Sequence, residues 1–144
     1  MAEKMNYTSI EQSKKLLELG LNPETADMYY EPSIGFCTEQ SEARMGEIKY
    51  AHPRSIPCWS LGALLDVMPD KIEYMDSECD LSLAKDWVSY EGYDRYDASY
   101  TIQPMIFKDK PLVDLLFESI IWLLENGYRK ENDDTANLAL KNNL

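Results

Sequence analysis

Three cysteines and the only histidine are the residues best suited to metal or thiol chemistry. Cys37, Cys58 and Cys79 are separated by 21 residues each, and His52 lies between the first two. Zinc sites usually draw two ligands from one short Cys-x-x-Cys or His-x₃-His segment, and this sequence has neither. We therefore expect free thiols, no metal site and no cofactor. An odd number of cysteines also favours a reducing compartment over a disulfide framework.

The sequence also lacks the known patterns for nucleophilic catalysis and phosphate binding. A Cys–His or Ser–His–Asp site would have to use His52, and nothing in the sequence pairs it with a nucleophile. The 6 glycines do not cluster into a phosphate-binding loop. The sequence thus predicts no catalytic residues.

An acidic run at 76–80 places carboxylates at its first, third and fifth positions, as calcium loops do. An EF-hand loop also needs glycine at the sixth position and glutamate at the twelfth. Leu81 and Trp87 occupy those positions here. The run is interpreted as a solvated acidic turn.

The stretch 70–100 is the strongest compositional anomaly. It holds nine acidic residues against Lys71, Lys85 and Arg95, a net charge of −6 (3 minus 9). One interpretation is an acidic, aromatic surface that binds a basic partner or imitates the phosphates of nucleic acid. The other is a solvated face with tyrosines packed across strands. The candidate surface residues are Tyr93, Asp94, Tyr96, Asp97, Tyr100 and, from the last helix, Ile121.

Composition sets the limits for partners and compartment. The chain has 144 residues and a net charge of −12, with 26 acidic residues against 14 lysines and arginines. That balance argues against direct binding to nucleic acid or anionic lipid. The most apolar segment, 111–124, is too short to span a bilayer and contains two acidic residues. With no secretory leader visible, we expect a cytoplasmic protein.

The first half of the chain contains several residue patterns that mark the ends of helices. Thr8 and Glu11 form a capping-box pattern, and Gly20 predicts a Schellman ending that brings Leu21 back to the helix. Asn22 and the following proline predict a second helix that runs to about residue 29. A short strand is expected at 47–50. Another helix is expected between Ser60, as its N-cap, and the proline at 69.

Alternating apolar residues and aromatic or β-branched runs over 71–107 predict an antiparallel meander of three or four strands. Pro104 places the last strand at an edge or at a bulge. A final helix is expected over 111–125, ending at Gly127. The predicted fold is therefore α+β, with N-terminal helices, a small antiparallel sheet and a C-terminal helix packed on it. It occupies residues 1–128 as a single domain, followed by a polar tail at 129–144.

Three blocks carry a resemblance: YTSIEQSKKLLELGLNPETADMYY, IPCWSLGALLDVMP and PLVDLLFESIIWLLENGY. In this order they resemble uncharacterised small proteins of gut Bacteroidetes genomes, their prophages and other mobile elements. The resemblance implies a small cytoplasmic α+β protein of mobile-element origin. It implies no activity.

We expect a non-enzymatic accessory protein that acts by binding a protein partner. An acidic nucleic-acid mimic, or another inhibitor of a basic protein acting through 70–100, is the alternative. A small enzyme with an unrecognised site is the third. The last helix is apolar around most of its circumference, more than one small sheet face can cover. Either the 31–57 segment or the tail folds over the excess, or a homodimer covers it with Ile121 in or beside the contact.

Overall fold

The computed structural model describes residues 6–128, so the predicted tail at 129–144 lies outside the described residues. Short 3₁₀ helices occupy Pro23–Thr25 and Ile48–Tyr50. The remaining elements, in chain order, are α1 (Ile10–Glu18), β1 (Met28–Tyr30), β2 (Ala43–Met45), β3 (Ile56–Cys58), α2 (Leu61–Val67), β4 (Lys71–Tyr74), β5 (Ser77–Ala84), β6 (Trp87–Tyr93), β7 (Thr101–Lys108) and α3 (Leu112–Glu125).

Two antiparallel sheets confirm the predicted α+β class. The smaller sheet has the order β2-β1-β3, and the larger is the expected meander, β4-β5-β6-β7. α3 packs on β6 and β7, and it also contacts α1 and α2. The main core lies between these helices and one face of the larger sheet, because Val88, Tyr90 and Met105 meet Leu116 and Ile120 there.

The start of α1 differs from the prediction by one residue. Ser9 and Gln12 form the capping box, whereas Thr8 and Glu11 do not. Thr8 is fully buried, and its hydroxyl accepts a hydrogen bond from the backbone N–H of Trp59 at 3.0 Å. The Thr8 hydroxyl also pairs with Ser13 Oγ at 2.8 Å, so it is used by side-chain and tertiary contacts, and Ser9 Oγ accepts from the backbone N–H of Gln12 as the cap.

Both predicted Schellman endings are confirmed. Gly20 has φ of 92°, and the N–H of Leu21 donates to the carbonyl of Leu16 at 3.0 Å. Gly127 has φ of 79°, and the N–H of Tyr128 donates to the carbonyl of Leu123 at 2.8 Å. The cap of α2 is confirmed as well, because Ser60 Oγ accepts from the backbone N–H of Ala63.

The prediction of a second helix to residue 29 is wrong. Asn22 caps a single 3₁₀ turn, and the chain then enters β1. Met28 and Tyr30 alternate into a second small core with Cys58, so burial in a sheet outweighs the local helix signal. The predicted strand at 47–50 is also wrong, because that segment forms the second 3₁₀ helix without any buried residue to anchor a strand.

Pro104 meets both parts of its prediction. β7 is an edge strand of the larger sheet, and its register with β6 shifts between Tyr90 and Gly92. The shift places two β7 residues, Gln103 and Pro104, opposite Glu91 alone. The missing N–H of proline is therefore accommodated at a bulge on an edge.

Candidate acidic interaction site

The side chains of the four-stranded sheet separate by strand alternation into a core face and an outer face. Ile72, Cys79, Val88 and Tyr90 are buried against the helices. The alternate residues point away from the helices, and several of them are exposed carboxylates. We define the acidic face by four of these residues: Glu73, Glu78, Asp80 and Glu91.

Strand register sets these carboxylates directly opposite one another. Glu73 pairs with Glu78 across β4 and β5, and Asp80 pairs with Glu91 across β5 and β6. Like charges in opposed positions of neighbouring strands repel each other. Lys71 compensates in part, since its Nζ lies 3.4 Å from Glu78 Oε1 and 3.8 Å from Asp80 Oδ1.

An open groove of about 1220 Å³ runs along this face. Its lining contains all four residues of the acidic face together with Asp76, against only Lys71 and Arg95 as cations. Hydroxyl, amide and aromatic groups complete the polar lining, from Ser82, Thr101, Gln103 and Tyr93. The groove is therefore a negatively charged surface with hydrogen-bonding groups at its side.

Ser89 adds an unpaired polar group to the same side of the sheet. It faces away from the core by alternation with Val88 and Tyr90, and it lies directly opposite the groove-lining Ser82. Its side chain is fully buried, and its hydroxyl has no hydrogen-bond partner within residues 6–128. Buried hydroxyls without partners are uncommon in folded proteins.

The predicted tyrosine surface lies at one end of the groove. Tyr93, Tyr96 and Tyr100 have 66%, 78% and 66% of their surface exposed. They belong to the β6–β7 hairpin, which turns at the same end of the meander as the β4–β5 hairpin. The backbone N–H of Arg95 donates to Ser77 Oγ at 2.9 Å, holding the two hairpins together.

Asp94 and Asp97, also predicted as surface residues, order this hairpin loop. Asp94 Oδ1 accepts from the backbone N–H groups of Tyr96 and Asp97 at 2.7 and 3.1 Å. Asp97 Oδ1 accepts from the N–H and the hydroxyl of Ser99, and these bonds lower the pKa of Asp97. Both carboxylates fix the loop that presents the tyrosines.

Ile121 does not join this surface. It is half-buried on α3 and packs against the main core. α1 and α2 also cover part of α3, which reduces the apolar surface that motivated the predicted dimer. The dimer stays a prediction.

The three cysteines and His52 are the residues for which the sequence predicts free thiols and no metal site. All three thiols are free, and burial raises the pKa of Cys58 to about 11. His52 accepts a hydrogen bond from the backbone N–H of Arg54 through Nδ1. Among the described residues, no three His, Cys, Asp or Glu side chains are grouped closely enough to hold a metal ion.

The opposed carboxylates are the feature that sequence reasoning missed. The prediction of a solvated turn over 76–80 is wrong beyond Asp76, because Ser77 to Asp80 lie in β5 and alternate between the two faces. The signal was present in the period of two: Ser77 and Cys79 are buried, and Glu78 and Asp80 are exposed.

Comparison with protein-family models, curated proteins and solved structures finds no match to this chain. Over residues 6–128, the helices are too short or too polar to cross a membrane.

Proposed function

We propose that this chain is a non-enzymatic interaction protein that binds a basic segment of a partner protein along its acidic face. The observation that carries the proposal is the register of the larger sheet, which opposes Glu73 to Glu78 and Asp80 to Glu91. The expectations of cytoplasmic location, mobile-element origin and self-association stay predictions alongside it.

The opposed carboxylates lower the stability of the free protein. Each exposed like-charge pair costs about 0.2–1 kcal/mol, and acidic residues are poor strand formers in any case. Acids that only kept the protein soluble would serve equally well at staggered positions. A cation placed between the two members of a pair would remove the repulsion, so the arrangement favours binding of positive charge.

Lys71 illustrates the contact that a partner lysine would make. Its ammonium group lies between two carboxylates of the acidic face, within 4 Å of each. The second opposed pair, Asp80 and Glu91, has a glutamine neighbour, since Gln103 Nε2 donates to Glu91 Oε2 at 3.0 Å. Lys71 thus already occupies one member of each opposed pair, whereas Glu73 and Glu91 are in no ion pair within residues 6–128, so an incoming lysine or arginine meets the least competing positive charge at these two.

The exposed tyrosines suit the same partner. Lysine and arginine bind to aromatic faces by cation–π attraction, and Arg95 already lies 5.9 Å from the ring centre of Tyr96. The hydroxyl and amide groups that line the groove offer hydrogen bonds to such a segment.

The test is binding of a fluorescent peptide of alternating lysine and serine, followed by anisotropy at low and moderate salt. The double variant Glu73→Gln/Glu91→Gln removes one carboxylate from each opposed pair. We expect it to bind about tenfold more weakly, as two exposed ion pairs of up to ~1 kcal/mol each would give. The same variant should unfold at higher urea concentration, because it relieves repulsion within the sheet.

The matched control is Glu24→Gln/Glu39→Gln, which changes the net charge equally at exposed positions outside the groove. In the moderate-salt arm, at about 0.1 M, it should retain wild-type affinity within about twofold, because exposed charges farther apart than a Debye length of ~10 Å are then largely screened. Equal loss of binding in both double variants would mean that net charge alone attracts the peptide, and the proposal would be wrong.

The mimic alternative uses the same face with a nucleic-acid-binding protein as partner. If duplex DNA competes with the chain for binding to such a partner, the mimic alternative is favoured. If DNA does not compete, the ligand is a basic protein segment that has no role in binding nucleic acid.

A further inference from the structure

We infer that Lys71 determines the specificity of the acidic face: it occupies the two β5 carboxylates and thereby selects a partner segment whose basic residues are four positions apart. The inference rests on the proposed function and names the spacing of positive charge on its partner.

Lys71 is already bound where a partner cation would bind. Its Nζ lies 3.4 Å from Glu78 Oε1 and 3.8 Å from Asp80 Oδ1, so it contacts one carboxylate of each opposed pair. The hydrogen bond to Glu78, together with the charges of Glu78 and Asp80, raises the pKa of Lys71 and keeps its ammonium group charged. Lys71 also lines the groove. A partner lysine must therefore displace Lys71 or bind to the other carboxylates of the face.

Those other carboxylates lie on either side of β5. Glu73 on β4 and Glu91 on β6 both line the groove, and neither is in an ion pair within residues 6–128. Lys71, Asp80 and Glu91 are aligned across the three strands, and Glu73 is two residues further along β4. Two strand spacings of ~4.8 Å and two residues of ~3.4 Å each place the backbone positions of Glu73 and Glu91 about 12 Å apart.

The sheet beside Glu91 has a further polar group that the described part of the chain does not use. Ser89 lies two residues before Glu91 on β6 and points to the same side by strand alternation. Its side chain is buried, and its hydroxyl has no hydrogen-bond partner among residues 6–128. This unpaired hydroxyl is a reason, independent of charge, to extend the bound segment as far as Glu91.

The separation of Glu73 and Glu91 sets the spacing of the partner's charges. In an extended segment, side chains alternate between two sides, and residues four positions apart lie on one side about 13 Å from each other. That distance is close to the separation of the two open carboxylates. Residues two positions apart are only about 7 Å from each other, so their second lysine is directed to carboxylates that Lys71 already occupies.

The experiment measures how two unlabelled peptides displace the fluorescent lysine–serine peptide at about 0.1 M salt. Each competitor has two lysines in a serine chain of equal length, four positions apart in one and two positions apart in the other. Wild type should bind the four-position competitor about threefold more tightly, which is the size of one exposed ion pair.

Lys71→Gln should bind both competitors more tightly than wild type does, and about equally, because Glu78 and Asp80 then accept a lysine as well. The same variant should unfold at lower urea concentration, since the opposed carboxylates lose their compensating charge.

Lys85→Gln is the matched control. Lys85 is exposed in the β5–β6 turn outside the groove lining, and its replacement changes the net charge equally. This variant should keep the wild-type preference, with affinities within about twofold of wild type. Equal tightening in both variants would mean that net charge alone governs binding and would overturn the inference. So would a Lys71→Gln variant that binds the competitors more weakly or keeps the preference.

Failure of the two proposals can be told apart. If wild type binds both competitors equally while Glu73→Gln/Glu91→Gln still weakens binding of the fluorescent peptide, the basic-segment proposal stands and the role of Lys71 is wrong. If the fluorescent peptide does not bind to wild type, both proposals are wrong.

Discussion

Replacing Gly92 with alanine should separate β5 and β6, two of the three strands that carry the acidic face. A Cβ at this position would lie 2.1 Å from the carbonyl oxygen of Glu78 and 3.2 Å from Cys79 Cα. Both obstacles are backbone atoms, so no side-chain rotation relieves the overlap. β5 and β6 must move apart for the added methyl group to fit.

The cost follows from that movement. Overpacking in a well-packed protein typically costs about 1–3 kcal/mol. We expect a loss near ~3 kcal/mol for Gly92→Ala, because only backbone displacement relieves the clash and the adjacent cross-strand hydrogen bonds weaken with it.

The assay is urea denaturation followed by tryptophan fluorescence and far-UV circular dichroism. Trp59 is fully buried, so its emission reports loss of the core. With a slope of roughly 1–3 kcal/mol/M, the midpoint should fall by about 1–3 M.

Gly62→Ala is the control. Gly62 lies in α2, and a Cβ there would meet only Ser60 Oγ at 3.9 Å. This variant should be stabilised by about 0.5–1 kcal/mol, since alanine favours the helix. A Gly92→Ala variant within ~0.5 kcal/mol of wild type would refute the close approach of β5 and β6.

Two further predictions concern the cap of α1 and the buried thiol. Ser9→Ala should lower the free energy of unfolding by about 1 kcal/mol in urea melts, because Ser9 Oγ accepts from the Gln12 N–H at 3.1 Å. Glu11→Gln should stay within ~0.5 kcal/mol of wild type. A larger loss for Glu11→Gln than for Ser9→Ala would instead support the capping box predicted from the sequence. Cys58 has its pKa raised by burial from 9.0 to about 11, so folding favours the neutral thiol. That contribution is complete below pH ~9 and is lost as the pH rises towards ~11; wild type should therefore lose more stability than Cys58→Ala between pH ~8 and ~10.5, and equal losses would contradict the burial of the thiol.

The sequence correctly predicted the helix ends and strands that depend on interactions between residues close together in the chain. The Schellman endings at Gly20 and Gly127 and the cap at Ser60 each depend on residues within one or two turns. The meander was predictable because three of its strands have seven or eight residues, its strands alternate in polarity, and its first two turns are only two residues long.

The smaller sheet could not be predicted in the same way. β1, β2 and β3 have three residues each and are joined by long connections. β1 pairs on both sides with segments that follow much later, so tertiary packing decides its conformation. The helix signal of Asn22 and its proline was used only for one 3₁₀ turn.

The sequence predicted the composition of the acidic face but not the pairing of its carboxylates. Composition located the charge and the tyrosines, but opposition of the carboxylates depends on register. The two-residue turn at Met75 and Asp76 fixes Tyr74 opposite Ser77, and the pairing of Glu73 with Glu78 follows from it. A slip of one residue would have turned Glu78 and Asp80 towards the core.

The most direct test of the proposed binding face is an NMR titration of ¹⁵N-labelled protein with the lysine–serine peptide. The largest amide shift changes should fall on the acidic face and its hairpin end, at Glu73, Glu78, Asp80, Glu91 and Tyr93. Changes concentrated instead around Ile34, Phe36 and Met45, the exposed apolar residues near the smaller sheet, would contradict it. So would a spectrum that the peptide leaves unchanged.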